Sequence, residues 1–281
     1  MSGVLLELFG LAATDRVDWN QIVRSQSCPL LGGDCLKIRK SRPDIAIGTC
    51  AVAYGVTNTP VIICPYRLLE RRQLFTDCLH LLSRHQPGNE LHVVREMKLP
   101  GGNVDFFVVS ARDRRPVDFV GLELQTLDTT GTVWPTRQRF LKSQGVRVNN
   151  ADVASRKSFG INWKMTAKTV LVQLHHKVTT FEGLGKHLVV AMQDCLFDYI
   201  NREFELQHLN QPSHGDALHL HVYNLGNDTS NLRLQLADRR STDSTGVAKA
   251  LGLKTEAKVE LDQLLSRIEA KLSDSTLWKI A

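Results

Sequence analysis

Residues 119–131 read FVGLELQTLDTTG, and two polar side chains inside this apolar run decide how the chain is organised. Successive side chains of a strand point to opposite faces, so Leu122 and Leu124 face one way while Glu123 and Gln125 face the other. Asp105 interrupts the apolar strand VDFFVV in the same manner. A carboxylate in such a setting destabilises a fold unless it is paired or metal-bound. Asp105 and Glu123 on adjacent strands make a donor pair suited to a hard divalent ion. An ion held there activates water and neutralises charge growing on a scissile phosphate, and Gln125, two residues on, is placed to orient the water or the substrate. The plainer reading of the same three residues is a buried hydrogen-bond network or a solvent-facing strand edge. The pattern D-x17-E-x-Q is too short to choose between the two by itself.

The neighbouring elements follow from hydrophobic period. PYRLLERRQLFTDCLHLLSRH, residues 65–85, places Leu68, Leu69, Phe75, Leu79 and Leu82 at helical spacing between Pro65 and QPG, which predicts a helix. LHVVREMKL and NVDFFVVSA, separated by PGG, predict a β-hairpin; RDRRP then turns the chain into VDFVGLELQTL as a third strand. Residues 162–178 return to helical spacing, with Trp163, Ala167, Val170, Leu171, Leu174 and Val178 on one face. HLVVAMQD reads as a buried strand, LFDYINREF as a helix, DALHLHVYNL and NLRLQLA as strands, and Lys258 to Leu272 as a terminal amphipathic helix. The N-terminal SGVLLELFGLAATD reads as a short packed helix. This order predicts an α/β protein with a mixed central β-sheet flanked by helices. Residues 1–66 form an N-terminal segment and 67–281 the core with its C-terminal elaborations, together one integrated domain.

Composition limits the function classes. With 281 residues, 42% hydrophobic and 23% charged, the chain can bury a substantial core and does not have the polarity of a disordered protein. It contains no apolar run able to span a membrane, and its apolar N-terminus carries Glu7 and lacks the basic flank of a secretory signal. Net charge is +6, a weak pointer to a polyanion. Its distribution is more telling: Arg137, Arg139, Lys142, Arg147, Arg156, Lys157, Lys164 and Lys168 stand against Asp152 alone, so this segment is +7. A solvated basic loop is the bland alternative. Gln138, Gln144, Asn149, Asn150 and Asn162 lie in the same stretch, and amides that read base edges beside cations that hold phosphates point to DNA.

Four of the six cysteines, Cys28, Cys35, Cys50 and Cys64, fall in SCPLLGGDC, GTC and ICPYR. Each has turn residues beside it, which lets thiolates converge on one ion, and a four-thiolate site suits zinc or iron. Inert buried thiols are the alternative; disulfides are disfavoured, since nothing indicates export. His175, His176, His219 and His221 read as core or surface residues, not as ligands.

Taken jointly, CPLLGGDC, GTC and ICPYR upstream, GGNVDFFVV and LELQ in the middle, and NWKMTAKTVLVQLHHK with GKHLVVAMQD downstream resemble the NotI family of type II restriction endonucleases over roughly residues 25–200. D-x17-E-x-Q is similar to the PD-(D/E)xK nuclease signature in the variant where Gln replaces Lys. The resemblance implies a homodimer that makes Mg2+-dependent double-strand cuts at a palindromic, GC-rich DNA site. It implies Asp105, Glu123 and Gln125 as the catalytic set, with Asp105 and Glu123 on the metal. It also implies a structural iron on Cys28, Cys35, Cys50 and Cys64, with zinc the alternative that spacing leaves open. An additional glutamate belongs to the site; of Glu90 and Glu96, Glu96 lies in the strand predicted to pair with that of Asp105 and is chosen. A prokaryotic cytoplasmic enzyme with a cognate DNA methyltransferase is the implied setting. Two other classes stay open: a non-catalytic sequence-specific DNA-binding protein with a structural four-cysteine metal site, and a metal or redox protein that owes its function to the cysteines.

Overall fold

The chain begins with a hairpin where its apolar opening predicts a helix. In the computed structural model, which describes residues 3–204, 206, 208–209, 211–226, 232–252 and 261–271, β1 (Val4–Leu8) turns through Phe9 and Gly10 into β2 (Leu11–Ala12). Both turn residues have positive φ, 51° and 75°, the conformation whose twist suits a two-residue hairpin. Leu5, Leu6 and Leu8 are all buried, so both faces of β1 are covered and no alternation marks it as a strand. β1 also pairs antiparallel with β3 (Thr49–Tyr54), which pairs with β4 (Thr59–Ile62). The resulting sheet runs β2-β1-β3-β4.

The predicted helix of residues 65–85 is broken. It forms a 3-10 turn over Pro65–Arg72, a short helix Gln73–Asp77 and a further 3-10 turn Leu79–Leu81. The kink lies at Arg71 and Arg72, with φ of 52° and 55°. Its cause is polar anchoring that periodicity does not register. Arg67 Nε reaches both oxygens of the buried Glu7 at 2.8 and 2.7 Å, and Arg67 Nη2 donates to Leu232 O at 2.6 Å. Glu70 Oε2 accepts from Arg67 and from Leu234 N. Together these bonds hold the segment against the C-terminal part of the chain.

The largest sheet among the described residues has six strands: β5 (Glu90–Leu99), β6 (Gly102–Arg112), β7 (Arg115–Gln125), β8 (His187–Gln193), β9 (Leu218–Asn224) and β10 (Gln235–Thr242). In space they run β10-β9-β8-β7-β6-β5. β5, β6 and β7 form the antiparallel meander expected around PGG and RDRRP. β7, β8 and β9 are parallel, and β10 closes the far edge antiparallel. Among the helices are α1 (Trp134–Ser143), α2 (Trp163–Gly183), α3 (Asp194–Glu203) and α4 (Ser244–Ala250). α2 brings Ala167, Val170, Leu171, Leu174, Val178 and Phe181 onto one face of the sheet, against Leu188, Val190 and Met192. The broken 65–82 segment covers the other face, against Leu122, Leu124, Val189 and Ala191. The architecture is therefore mixed α/β, with a large mixed sheet flanked by helices. Of the predicted C-terminal elements, NLRLQLA becomes a strand only from Gln235, and residue 231 lies outside the described residues. The terminal helix runs Leu261–Glu269, while residues 258–260 and 272 also lie outside them. No helix among the described residues is long and apolar enough to cross a membrane.

The N-terminal sheet packs on the large one through apolar side chains, and one side-chain amide hydrogen-bonds the two. Gln193, at the end of β8, accepts from Ile62 N at 2.8 Å and donates to Pro60 O at 2.7 Å, so the rim of one sheet is hydrogen-bonded to the other.

His219 and His221 on β9 are core residues, each 1% exposed. His221 stacks on His80 at 6.0 Å, His219 meets His187 at 5.1 Å, and His214 lies against both His80 and His187. Burial, then the neighbouring His187, pushes His219 down to about 4; burial, then Arg239, pushes His221 down to about 3. Asp77 and Asp216 border the same cluster, as the ion-pair partner of Arg239 and the carbonyl that both His187 and His219 meet. The native state thus binds fewer protons than the unfolded chain below the ordinary histidine pKa. Stability present above about pH 6.5 is lost as the pH falls toward 4, by roughly 1.4 kcal/mol per pH unit per histidine at most. Thermal melting at pH 7 and pH 4.5 checks this: the fall in Tm should be smaller for His221→Leu than for the native sequence, and an equal fall would clear His221 of any part in acid sensitivity.

Candidate active site

The polar face of β7 owes its position to the parallel pairing with β8, which sets Glu123 beside Val190 and Gln125 beside Met192 in the interior of the sheet. Leu122 and Leu124 enter the opposite core, so the alternation read from the sequence is the alternation observed. β6 and β7 are laddered from Arg112 and Arg115 up to Phe106 and Leu122, and there the pairing stops. Asp105 is the next residue of β6. Its Oδ2 accepts from Leu124 N at 2.8 Å, so the carboxylate takes over the amide beyond the end of the ladder. The structure thereby brings Asp105 and Glu123 together where the two strands diverge.

β5 contributes the third carboxylate. Val104 pairs with Met97 and Phe106 with Arg95, which puts Glu96 opposite Asp105. Glu96 has a φ of 38°, a conformation uncommon for a residue with a side chain and one that concentrates at functional positions. Glu90 pairs with Ala111 at the far end of the hairpin and binds His92 and Arg114 N instead. Glu96 and Asp105, with Arg95, Tyr66, Pro65 and Leu36, line an open cleft of about 440 Å³. Gln125 donates to Thr126 O at 3.0 Å and opens onto a neighbouring cleft of about 680 Å³ that also takes in Lys37, Cys64 and Asn162.

A residue absent from the sequence reading completes this group. Lys177 of α2, 7% exposed, places its Nζ 2.6 Å from Glu123 Oε1 and also donates to Asn103 O. It stands three residues after Leu174 and four before Phe181, on the helix face that packs against the sheet; that spacing is the signal by which it could have been found. Burial pushes the Glu123 carboxyl up to about 7, with Lys177 opposing and Asp105 reinforcing the rise. Burial also raises Asp105, against the Leu124 amide and Lys177 and with Glu96. Three carboxylates, one ammonium and a neutral amide thus share one rim of the sheet. Glu123 Oε2 and Asp105 Oδ1 remain as oxygen donors, a set whose hardness and charge fit a divalent cation such as Mg2+.

Cys28, Cys35, Cys50 and Cys64 are all buried free thiols. They are neighbours. The Cys50 thiol, whose Sγ donates to Gly48 O at 3.4 Å, lies beside Cys64; its proximity, aided by Lys37 and the amides of Tyr66 and Arg67 and opposed by burial, lowers Cys64 to about 6. Cys35 is raised by burial, receives backbone amides from Lys37 and Gly48, and feels both Cys64 and Cys28. Amides directed at sulfur favour the thiolate form, so the donor chemistry fits a thiolate-bound iron or zinc. Among the described residues, no group of three or more His, Cys, Asp or Glu side chains is already arranged to hold a metal ion.

The basic segment divides in two. Arg137 is not a DNA ligand: it is buried at 2% exposure, its Nε donates to Ile47 O at 2.7 Å, and its guanidinium stacks on Trp134 at 4.6 Å. Trp134 and Leu141, three before and four after, put it on the inward face of α1, and burial pushes it down to about 10. Arg139 is half-buried against Ser155 O and Thr136. Lys142, Arg147, Arg156, Lys157, Lys164 and Lys168 are exposed. Arg137→Ala should therefore cost about 2–4 kcal/mol in denaturant unfolding, through lost packing and the carbonyls of Ile47 and Ala46 left without their donor. It should leave the salt dependence of DNA binding unchanged. Lys168→Ala should do the reverse, leaving stability within about 0.5 kcal/mol and lowering the salt slope by about 1.

A family model described as Restriction endonuclease NotI matches residues 21–236, a span that takes in the four cysteines, the three carboxylates, Gln125, Lys177 and the basic segment. No curated protein matches the chain.

Proposed function

Because the chain belongs to the family of restriction endonuclease NotI, we propose that it is a type II restriction endonuclease making double-strand cuts at a palindromic, GC-rich DNA site by Mg2+-dependent phosphodiester hydrolysis. The observation that carries this reading is the gathering of Glu96, Asp105 and Glu123 at one end of three neighbouring strands, where Glu96 and Asp105 line an open cleft and Glu123 stands beside Asp105. Asp105 and Glu123 would hold Mg2+. When bound, the ion supplies Lewis-acid polarisation of the phosphate and a lowered pKa for water. Gln125 is anchored through its amide nitrogen to Thr126 O, which leaves its oxygen to orient the attacking water. Glu96 serves a further ion or its water. The active site is thus a PD-(D/E)xK variant in which Gln stands in the Lys position.

Exposed Lys142, Arg147, Arg156, Lys157, Lys164 and Lys168, with Arg139, contact the DNA backbone. Cys28, Cys35, Cys50 and Cys64 hold a structural iron, with zinc the alternative, and fix the N-terminal segment beside the cleft that Cys64 shares with Gln125. A palindromic site read by a homodimer follows from symmetry: two copies present two cleavage centres to the two strands. A prokaryotic cytoplasm with a cognate methyltransferase protecting host DNA completes the reading.

Digestion of a sequenced phage DNA by the purified protein with Mg2+ tests it. Discrete fragments whose ends share one sequence support the endonuclease; intact DNA with salt-sensitive, site-specific binding would replace it by the non-catalytic DNA-binding reading.

A further inference from the structure

The strand that carries the catalytic pair ends its motif in Gln125, a neutral residue, and β7 supplies no cation to the three carboxylates. Helix α2 does. Its sheet-facing side is apolar at Ala167, Val170, Leu171, Leu174, Val178 and Phe181, and Lys177 breaks that stripe with a charge that is costly to bury unpaired. Its ammonium bridges Asn103 O, two residues before Asp105, and Glu123 Oε1. It therefore ties together the ends of the two strands at the point where their own ladder stops.

The turn before β6 is cut back to admit it. A Cβ on Gly101 would lie 3.0 Å from the backbone of His176, and one on Gly102 3.3 Å from Cε of Lys177. Both glycines also have positive φ, 95° and 126°. The PGG turn is thus shaped by the approach of α2 at residues 176–177 as well as by the reversal of the chain. An ammonium has three N–H donors; two are used on Asn103 and Glu123, and the third meets no acceptor among the described residues.

We propose that Lys177 supplies from helix α2 the cationic group that Gln125 cannot supply from β7, positioning the Glu123 carboxylate and offering its free N–H to the scissile phosphate. The inference rests on the endonuclease reading of the same site. The ammonium has two opposed effects there: it repels a divalent cation next to Glu123, and it stabilises negative charge as the phosphodiester is attacked. Removing the charge should make metal binding tighter and cleavage slower, whereas loss of a merely structural contact would leave both alone or weaken both.

The test compares native protein with Lys177→Met, which keeps the length of the side chain and removes its charge. Single-turnover cleavage in Mg2+ is expected to fall about 10²–10³-fold, the loss typical of one donor to a developing anion. Mn2+ affinity of the DNA-free protein, read by calorimetry, is expected to rise about threefold or more. Regain of about tenfold in cleavage rate is expected when Gln125→Lys is added to Lys177→Met, because the charge returns from the strand. Lys177→Met that melts like the native protein and cleaves within about threefold of it overturns the proposal, as does Mn2+ affinity unchanged or weakened. If the native protein cuts no DNA, the endonuclease reading falls and the Mn2+ comparison alone decides on Lys177. Should Lys177→Met fail to fold, Lys177→Gln takes its place: normal cleavage and unchanged Mn2+ affinity overturn the proposal, and slower cleavage with tighter Mn2+, reversed by Lys177→Arg, uphold it.

Discussion

Replacing Glu123 with glutamine will leave a protein that binds its DNA site and does not cut it. The substitution keeps the shape of the side chain and its place beside Val190. It removes the charge that meets Lys177 at 2.6 Å and that is proposed to hold Mg2+. Loss of both interactions should lower single-turnover cleavage by about 10³-fold or more, with site-specific binding in Ca2+ changed only a few-fold. Glu123→Ala should abolish cleavage as well while leaving binding measurable, but it adds a second effect. It strands the Lys177 ammonium in a nearly dry site, which costs about 3–5 kcal/mol when one partner of a buried pair is removed. Comparing the two variants by cleavage and by urea unfolding separates the chemistry from the packing. Cleavage at the native rate by either one would remove Glu123 from the mechanism.

The largest effect on stability is expected at Arg67, inside the core. Arg67 is 3% exposed, and each nitrogen of its guanidinium donates: Nε to Glu7 of β1, Nη1 to Glu70 of the kinked segment and Nη2 to Leu232 O. Burial raises Glu7, opposed by Arg67. Arg67→Met therefore leaves a carboxylate in a core that has no other counter-ion bonded to it among the described residues, and should destabilise the fold by about 3–5 kcal/mol. The double variant Glu7→Leu with Arg67→Met should recover most of that loss, because no charge is then left unpaired. Urea midpoints for the two singles and the double supply the cycle; a double variant as unstable as the sum of the singles would show that the pair does not act as a unit.

The hairpin and third strand were legible because Asp105, Glu123 and Gln125 break runs whose period is otherwise clear, and PGG and RDRRP punctuate them. β1 was not legible, because a strand covered on both faces has lost the alternation that identifies it. The 65–85 segment has helical composition, yet its kink is imposed by Arg67 and Glu70 reaching residues 232 and 234, which no local window contains. Counting charge without phase groups Arg137 with the surface cations; its spacing from Trp134 and Leu141 marks the inward face of α1. Lys177 escaped for the converse reason. A single lysine beside an apolar stripe reads as the edge of the stripe, and only the arrival of β7 beneath it turns that edge into a partner for Glu123.

The bonds that hold the N-terminal sheet also set a schedule. Ile62 waits for Gln193, 131 residues later, and Arg67 waits for Leu232, 165 residues later. At about 5–20 residues per second, the chain is synthesised for roughly 8–33 s after Arg67 is made before the last of these bonds can form. Throughout that interval Cys28, Cys35, Cys50 and Cys64 are free thiols on an unfinished fold. An oxidising compartment would give them time to cross-link in the wrong pairs, so expression in a reducing cytosol is the condition under which the native segment should form in highest yield.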